Sequence, residues 1–341
     1  MLKTKFLLKT NEINLRLDFF LKKKFSSYKR NFFQNLIKNK NVFVNKISKK
    51  KNYLLKNNQN LIKNKNVFVN KIYKKKNYLL KNNDVIEIFF QKKKFNYKKI
   101  KLHLLYEDEY ILIINKKSGL VVHPGNGNKS MTLSNGLHFY FKNKKIMPFL
   151  VHRIDKGTSG LILVSKYENI LNKISKQFWF NKIKRKYITL VWGIFFKKEG
   201  TIICNIGRCL KNKTHMNVFP NGCLGKQAIT HYKVLETFKY FSLLKCSLET
   251  GRTHQIRVHL KYIGHPIFND KNYGEDKKYK NFLSFKERIF LEKCLKTFKY
   301  QALHAYYLEF KHPIYLKNKY LISPIPEKFK FLLKKIKNFC L

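Results

Sequence analysis

Six short strand-like segments constrain the fold of this 341-residue chain more than any other feature of its sequence. They are bounded by turn-forming residues and cover positions 110–115, 119–123, 161–165, 187–192, 243–248 and 303–310. Residues 166–180 have the apolar spacing of a helix, but few of the segments are joined by a long helical crossover. Parallel strands require such crossovers, so the pattern predicts an α+β fold with a largely antiparallel sheet.

The N-terminal region contains a near-identical repeat. Residues 34–58 and 59–83 agree at 24 of 25 positions and differ only as Ser48 and Tyr73. Two copies are too few for a solenoid, so the repeat indicates a recent tandem duplication. Around it, the sequence predicts two short helices within residues 16–37 and strands at 42–45 and 84–88. Either copy could supply the strand that leads into Asp84, and the other would be looped out or docked as an extra hairpin.

The formal net charge of +54 favours a polyanionic partner, and nucleic acid is the first candidate. The excess of Lys, Asn, Ile, Phe and Tyr is also what AT-rich coding produces, so the charge adds only modest weight to that hypothesis. The length and the 44% hydrophobic content allow two domains and a sizeable core.

Cysteine spacing and hydropathy argue against several protein classes. The six Cys form no CxxC pair, so free thiols are expected rather than disulfides or a zinc site. No apolar run approaches the ~18 residues of a membrane-spanning helix, and the N-terminus lacks the apolar core of a signal peptide. These features predict a cytoplasmic protein without a membrane partner.

The densest polar motif is the segment 151–166, which contains Asp155. The chain has six Asp against 65 Lys and 8 Arg, so an acid placed in a basic, glycine-containing turn is unusual. A carboxylate between cationic side chains stays ionised and can act as a nucleophile. The competing interpretation is an Asp that only caps a turn or forms a salt bridge.

Four further segments accompany this motif, at residues 113–125, 184–187, 249–260 with 264–270, and 301–305. Three of the eight arginines, Arg153, Arg252 and Arg257, lie in the two densest motifs. Where Lys is the default cation, Arg indicates a need for planar, bidentate hydrogen bonding.

Together these segments resemble the RluA family of RNA pseudouridine synthases. That family has His-Arg-Leu-Asp-x-x-Thr-Ser-Gly at its nucleophile, which residues 152–160 match with Ile154 in place of Leu. Its Gly-Arg-Thr-His-Gln-Ile-Arg-Val-His motif matches residues 251–259. Departures are Gly157 for an acid and Lys117 for Pro, neither of which removes a reacting group. The resemblance implies an isomerase that converts uridine to pseudouridine without a cofactor or a metal.

The resemblance also implies roles for individual residues. Asp155 would be the nucleophile, Tyr187 would stack on the target uracil, and Arg257 would pair with Asp155. If residues 249–260 form a strand, the spacing of five places Arg252 and Arg257 on opposite faces, so they should not share one role. An exchange of roles between these two arginines remains open.

Four residues are expected to contact RNA: Arg153, Lys184, Arg252 and His254. For His254 and His259, structural hydrogen bonding is favoured over metal ligation, because no cluster of acids or Cys accompanies them.

The N-terminal region resembles an S4 RNA-binding domain. The resemblance rests on the order of two helices, then Leu36-Ile37-x4-Val42-x-Val44-Asn45, then the strand 84–88. It divides the chain into an S4-like domain at 12–91, a basic linker at 92–100 and a catalytic domain at 101–330.

The resulting hypothesis is a pseudouridine synthase that modifies specific uridines in ribosomal RNA, with 23S rRNA as the first expectation. Two alternatives stay open: a non-catalytic RNA-binding or ribosome-assembly protein, and the same chemistry on tRNA. The expected partner is large-subunit ribosomal RNA or its precursor, and a monomer is the default.

Overall fold

The computed structural model describes residues 2–7, 14–24, 30, 33–34, 43–45, 67–69, 71–73, 77–81, 84–90, 98–125, 127–128, 130–144, 146–210, 212, 214–274, 279, 281 and 283–340. The chain divides into two compact units, Met1–Lys94 and Phe95–Leu341. The division falls within the predicted linker 92–100, of which residues 92–97 lie outside the described part.

The first unit contains a small antiparallel sheet and a helix. Its elements are β1 (Leu2–Leu7), α1 (Leu17–Lys24), β2 (Phe43–Asn45), β3 (Val67–Val69), β4 (Lys71–Tyr73) and β5 (Val85–Phe90). The second predicted helix is described only at residues 30, 33 and 34, which are helical. Leu17, Phe20, Leu21, Phe33 and Leu80 are fully buried, and they supply the apolar contacts of the unit.

Both copies of the repeat contribute strands to this sheet. β2 comes from the first copy, and β3 and β4 come from the second. Val44 and Val69 occupy equivalent positions in the repeat, and each pairs antiparallel with Ile86 of β5. Of the two arrangements expected for the extra copy, a docked hairpin agrees with the pairing of Val69 with Ile72.

The second unit is built on one large sheet with helices. Its strands are β6 (Leu104–Glu107), β7 (Ile111–Lys116), β8 (Phe149–Leu150), β9 (Ser159–Ser165), β10 (Lys184–Trp192), β11 (Glu199–Arg208), β12 (Met216–Phe219), β13 (Lys226–Thr237), β14 (Phe241–Leu248), β15 (Leu303–Lys311) and β16 (Asn318–Ile322). Its α-helices are α2 (Leu133–Tyr140), α3 (Glu168–Trp179), α4 (Gln255–Tyr262), α5 (Phe285–Thr297) and α6 (Glu327–Cys340).

The strand order is β12-β11-β13-β14-β10-β15-β9-β7-β6, with β16 on β15 and β8 on β9. Among the strands that the structure describes, β15 and β9 form a parallel pair and the other neighbours are antiparallel. The prediction of an α+β fold with a largely antiparallel sheet is therefore confirmed.

The part of the sheet formed by β7 and β9 is covered on both faces. Along β7 and β9, alternate residues enter two different apolar clusters, with Leu112 and Ile162 in one and Ile111 and Leu161 in the other. Helix α3 covers the second cluster through Ile170 and Ile174. Burial on both faces makes this part of the sheet a rigid support for the turn that precedes β9.

The strand predicted at 119–123 is absent. In this segment the structure has a single bridge, between Val121 and Thr132. The carbonyls of Val121 and Val122 accept hydrogen bonds from the N–H groups of Leu133 and Ser134 at 2.8 and 3.0 Å. The backbone of this segment therefore satisfies the free amides at the start of α2 instead of forming a ladder.

The motif at 249–260 ends in helix α4 and not in a strand, so the expectation that Arg252 and Arg257 lie on opposite faces of a strand is wrong. All residues from Gln255 to Leu260 are buried, which removes the contrast between faces that normally reveals a helix. The Gln255 amide fixes the start of α4, because it donates to the carbonyl of Ile229 and accepts from the hydroxyl of Thr250.

Candidate active site

Asp155 lies in the turn between β8 and β9. The turn is closed by a hydrogen bond from the N–H of Thr158 to the carbonyl of Asp155 at 3.1 Å. The next carbonyl, that of Lys156, accepts from the N–H of Gly119 at 2.8 Å. Gly157 packs against Gln301: a Cβ added at position 157 would lie 2.0 Å from the side-chain oxygen of Gln301, so a larger residue there would require the Gln301 amide to move.

Arg257 on α4 connects two carboxylates. Its Nη1 donates to Oδ2 of Asp155 at 2.8 Å. On its other side, Nε and Nη2 donate to the two carboxylate oxygens of Asp270 at 2.6 and 2.8 Å. The expected partnership of Arg257 with Asp155 is present, and Asp270 fixes the orientation of the guanidinium by a bidentate bond.

The loop after α4 holds Asp270 and Tyr273 against the guanidinium. Oδ1 of Asp270 also accepts the N–H groups of Asn272 and Tyr273 at 3.0 and 3.2 Å. The ring of Tyr273 lies 4.8 Å from the guanidinium carbon of Arg257, within cation–π distance. Burial lowers the pKa of Arg257, but the hydrogen bonds and charge of Asp270, together with Asp155, outweigh burial and raise it above its ordinary value.

His254 lies beside the second oxygen of Asp155. Its Nε2 is 3.7 Å from Oδ1, and its Nδ1 is 2.8 Å from the hydroxyl oxygen of Tyr273. Burial lowers the pKa of His254, and the charge of Asp155 opposes this shift. The imidazole is therefore neutral at neutral pH.

Lys116, at the end of β7, is buried behind the same turn. Its ammonium donates to the carbonyls of Lys117, Leu120 and Lys156 at 3.0, 2.9 and 3.1 Å. Burial lowers the pKa of Lys116 to about 7, and the charge of Asp155 opposes the shift. By binding the carbonyl next to Asp155, Lys116 anchors the turn from its inner side.

A cleft opens in front of the Asp155 side chain, which is 18% exposed. It is lined by Arg153, Ile154, Asp155, Thr158, Tyr187, Leu248, Arg252, His254, Gln255, Ile256, Arg257 and Leu303. Tyr187 lies on β10 and is buried, with 7% of its surface exposed. Burial raises the pKa of Tyr187, Arg185 lowers it, and Asp155 raises it. An apolar wall with an aromatic ring and one open carboxylate oxygen can hold a flat base beside a nucleophile.

The residues expected to contact RNA lie in different surroundings. Arg153 is exposed and lines the cleft. Arg252 also lines it, while its Nε donates to the carbonyl of Gln227 at 2.9 Å. Lys184 does not line this cleft, and its ammonium pairs with Glu309 at 2.8 Å.

Three residues of this site, Asp270, Lys116 and Tyr273, have no role predicted from the sequence. Asp270 lies in the segment 264–270, and the scarcity of its type, in a chain with six Asp, is a signal that could have identified it. Lys116 is one of 65 Lys and Tyr273 is one of 20 Tyr, so their residue types carry no such signal.

The described residues contain no group of three or more His, Cys, Asp or Glu arranged to hold a metal ion. None of the described helices is long and apolar enough to span a membrane.

Comparisons with known proteins point to one family. Residues 110–262 match the family described as RNA pseudouridylate synthase. The chain is 40% identical over 247 residues to an uncharacterized RNA pseudouridine synthase of Chlorobaculum parvum, covering 70% of this chain and 75% of that protein. It is 42% identical over 247 residues to ribosomal large subunit pseudouridine synthase D of Buchnera aphidicola, with the same coverage.

Solved structures share the fold. Human RNA pseudouridylate synthase domain containing 4 has a TM-score of 0.56 at 23% identity, covering 69% of this chain and 93% of that one. Human RNA pseudouridylate synthase domain containing 1 has a TM-score of 0.52 at 24% identity, covering 67% and 84%.

Proposed function

Since this chain belongs to the family of RNA pseudouridine synthases, we propose that it isomerises uridines to pseudouridine in large-subunit ribosomal RNA, with Asp155 as the nucleophile. Relatives that are named ribosomal large subunit pseudouridine synthase D support this choice of substrate. We take 23S rRNA as the substrate within that class.

One observation carries the assignment of Asp155. Its Oδ2 is bound by Arg257, while the side chain remains 18% exposed to a cleft that also contains Tyr187. A carboxylate that is charge-paired through one oxygen stays ionised, and its other oxygen is available to a substrate. The remaining carboxylate on Arg257, Asp270, is fully buried and cannot reach a substrate.

The reaction requires little from the protein beyond this arrangement. The bond between C1′ of the ribose and N1 of uracil breaks, and a C–C bond forms between C1′ and C5 of the rotated uracil. The hydrogen on C5 leaves as a proton and N1 gains one. Asp155 forms a covalent bond to one fragment and is released when the new bond closes, so no electron acceptor is consumed. Tyr187 stacks on the uracil, as an extruded base requires an aromatic or apolar partner in its pocket.

Cations around the cleft would hold the RNA backbone. Arg153 and Arg252 line its mouth, where arginines can bind phosphate oxygens through two N–H groups. Lys184 is the third proposed RNA contact. Lys184 would have to exchange Glu309 for a phosphate.

The first unit supplies a second part of the proposal. We assign residues 12–91 to an S4-like RNA-binding domain, 92–100 to a linker and 101–330 to the catalytic domain. The buried face of α1 and its basic end at Lys22–Lys24 support a folded module with a phosphate-binding surface. We also propose that the protein acts as a cytoplasmic monomer.

Mapping of pseudouridines in a strain that lacks this protein tests the proposal. We expect the loss of pseudouridine at specific positions of 23S rRNA, restored by the wild-type protein on a plasmid. Loss confined to tRNA would favour the tRNA alternative. An unchanged pseudouridine map would favour a non-catalytic RNA-binding role and contradict the proposal.

A further inference from the structure

His254 and Tyr273 form a connected pair behind the open oxygen of Asp155. His254 precedes α4 with a φ of 57°, in the left-handed region that few side chains adopt. This backbone conformation turns its ring between the hydroxyl of Tyr273 at 2.8 Å and Oδ1 of Asp155 at 3.7 Å. A strained residue beside a reactive group is a reason to look for a role in function.

The contacts of Tyr273 favour one tautomer of His254. The phenolic oxygen of Tyr273 accepts the N–H of Met216 at 2.8 Å and lies 2.8 Å from Nδ1 of His254, so its own O–H can donate to that nitrogen. A neutral imidazole that accepts at Nδ1 carries its hydrogen on Nε2. The charge of Asp155 favours the same tautomer, because an N–H dipole facing a carboxylate is attractive and a lone pair is repulsive.

We propose that His254, held in its Nε2–H tautomer by Tyr273, is a positioning residue that fixes Oδ1 of Asp155 for attack on the substrate. Arg257 holds Oδ2, and His254 faces Oδ1, so the carboxylate is restrained from two sides. This role rests on the proposed function but differs from the RNA contact that was expected for His254.

The separation of 3.7 Å fits a positioning role. It is too long for a hydrogen bond, so Oδ1 keeps its lone pairs for the substrate. It is short enough for the Nε2–H to approach Oδ1 when the cleft tightens around RNA, as happens in many active sites on substrate binding. When Asp155 is released as a carboxylate at the end of the reaction, the same N–H can stabilise the returning negative charge.

Two substitutions of His254 separate this role from others. Gln places an amide N–H near the position of Nε2 and can still face Asp155. Asn reaches only the position of Nδ1, so it can contact Tyr273 but not Asp155, and it tolerates the left-handed backbone. The measured quantities are the single-turnover rate of tritium release from 5-labelled uridine in a 23S rRNA transcript and, separately, the Kd for that RNA.

We expect His254→Asn to lower the single-turnover rate about 10–100-fold, with a change in Kd below about twofold, because misplacement of a reacting group by ~1 Å costs this much. His254→Gln should recover most of the rate. Tyr273→Phe should lower it about 2–10-fold in the wild-type background, the net worth of one hydrogen bond. It should add little to His254→Asn, since Tyr273 acts through His254.

His231→Asn is the matched control, because His231 also pairs with a carboxylate, that of Glu249 at 2.7 Å, but does not line the cleft. A full rate for folded His254→Asn would overturn the positioning role, and so would a weaker Kd with an unchanged rate, which would identify an RNA contact. Wild-type protein that releases no tritium would instead overturn the proposed function itself.

Discussion

Asp155 and Asp270 both bind the guanidinium of Arg257, but their surroundings give them different roles. Asp270 is fully buried and accepts four hydrogen bonds, two from Arg257 and two from backbone N–H groups. Asp155 accepts one from Arg257 and is 18% exposed to the cleft. A fully buried carboxylate with both oxygens hydrogen-bonded is structural, whereas one with an open oxygen can react, so the number of partners and not the presence of charge separates the two.

The largest expected effect comes from removing the group that both carboxylates share. Arg257→Met leaves Asp270 buried without its bidentate partner, and breaking a buried pair in this way costs about 3–5 kcal/mol of the free energy of unfolding. The isomerisation rate should also fall, because Asp155 loses its charge partner. Denaturant unfolding and tritium release measure the two effects, and a variant as stable as wild type would contradict the structural role of Asp270.

A second variant should disturb the turn that carries Asp155 and leave the Arg257–Asp270 pair in place. Lys116→Met keeps the apolar stem but removes three N–H donors, including the one to the carbonyl of Lys156. We expect the single-turnover rate to fall about 10–100-fold through displacement of the turn that carries Asp155. Lys166→Met is the control, because Lys166 is also buried, with 6% of its surface exposed against 1% for Lys116, but pairs with Glu107 at 2.7 Å. Equal rate losses in both variants would show a general effect of removing a buried cation.

The pH dependence of the free energy of unfolding involves one histidine near Asp155 and another on the helix that carries Arg257. Burial lowers the pKa of His304, which bonds Ser159 near Asp155, to about 4, and that of His259, on the helix of Arg257, to about 4. Between pH 6.5 and about 4 the unfolded chain binds these protons and the folded chain does not. The free energy of unfolding should therefore fall as the pH is lowered through this window. Carboxylates of lowered pKa, such as Glu107, change stability in the same direction.

Denaturant titrations at several pH values measure this slope. His304→Asn removes one of the titrating groups and should make the slope shallower, whatever its effect on stability at pH 7. An unchanged slope in that variant would show that His304 is protonated in the folded state.

The smallest expected effect concerns the mouth of the cleft. Arg252→Ala should weaken RNA binding and reduce by about one the slope of the log of the RNA-binding constant against the log of the salt concentration. The isomerisation rate at saturating RNA should stay unchanged. Lys337→Ala, at an exposed pair with Glu236, is the control and should leave both quantities unchanged. A slower rate at saturating RNA would place Arg252 with the residues that position Asp155.

The local pattern of the sequence predicted the buried strands β7 and β9 well. The runs around Ile111–Lys116 and Ser159–Ser165 are buried strands, as expected. It failed at α4, where Ile256, Val258 and Leu260 alternate like a strand because all residues from 255 to 260 are buried. Apolar periodicity reveals a helix only when one of its faces is buried and the other is exposed. Residues 255–260 lack that difference between faces.

The order of motifs in the sequence predicted which residues pair at the centre of the site. It did not predict the contacts that depend on packing between distant segments. The pairing of Arg257 with Asp155 was expected from the family resemblance. The anchoring by Asp270 and Lys116 depends on segments that are distant along the chain, 115 residues apart for Asp155 and Asp270 and 40 for Lys116 and Lys156. Nothing in the local sequence of Lys116 distinguishes a buried lysine from the many exposed ones.

The most direct test of the account compares Asp155→Asn with wild type and with Asp270→Asn in tritium release from 5-labelled uridine in a 23S rRNA transcript. We predict that Asp155→Asn stays folded, binds the RNA and releases no tritium, since an amide of the same shape is not a nucleophile. Asp270→Asn should lose stability and retain some release per folded molecule. Tritium release by Asp155→Asn at the wild-type rate would contradict the assignment of Asp155 as the nucleophile.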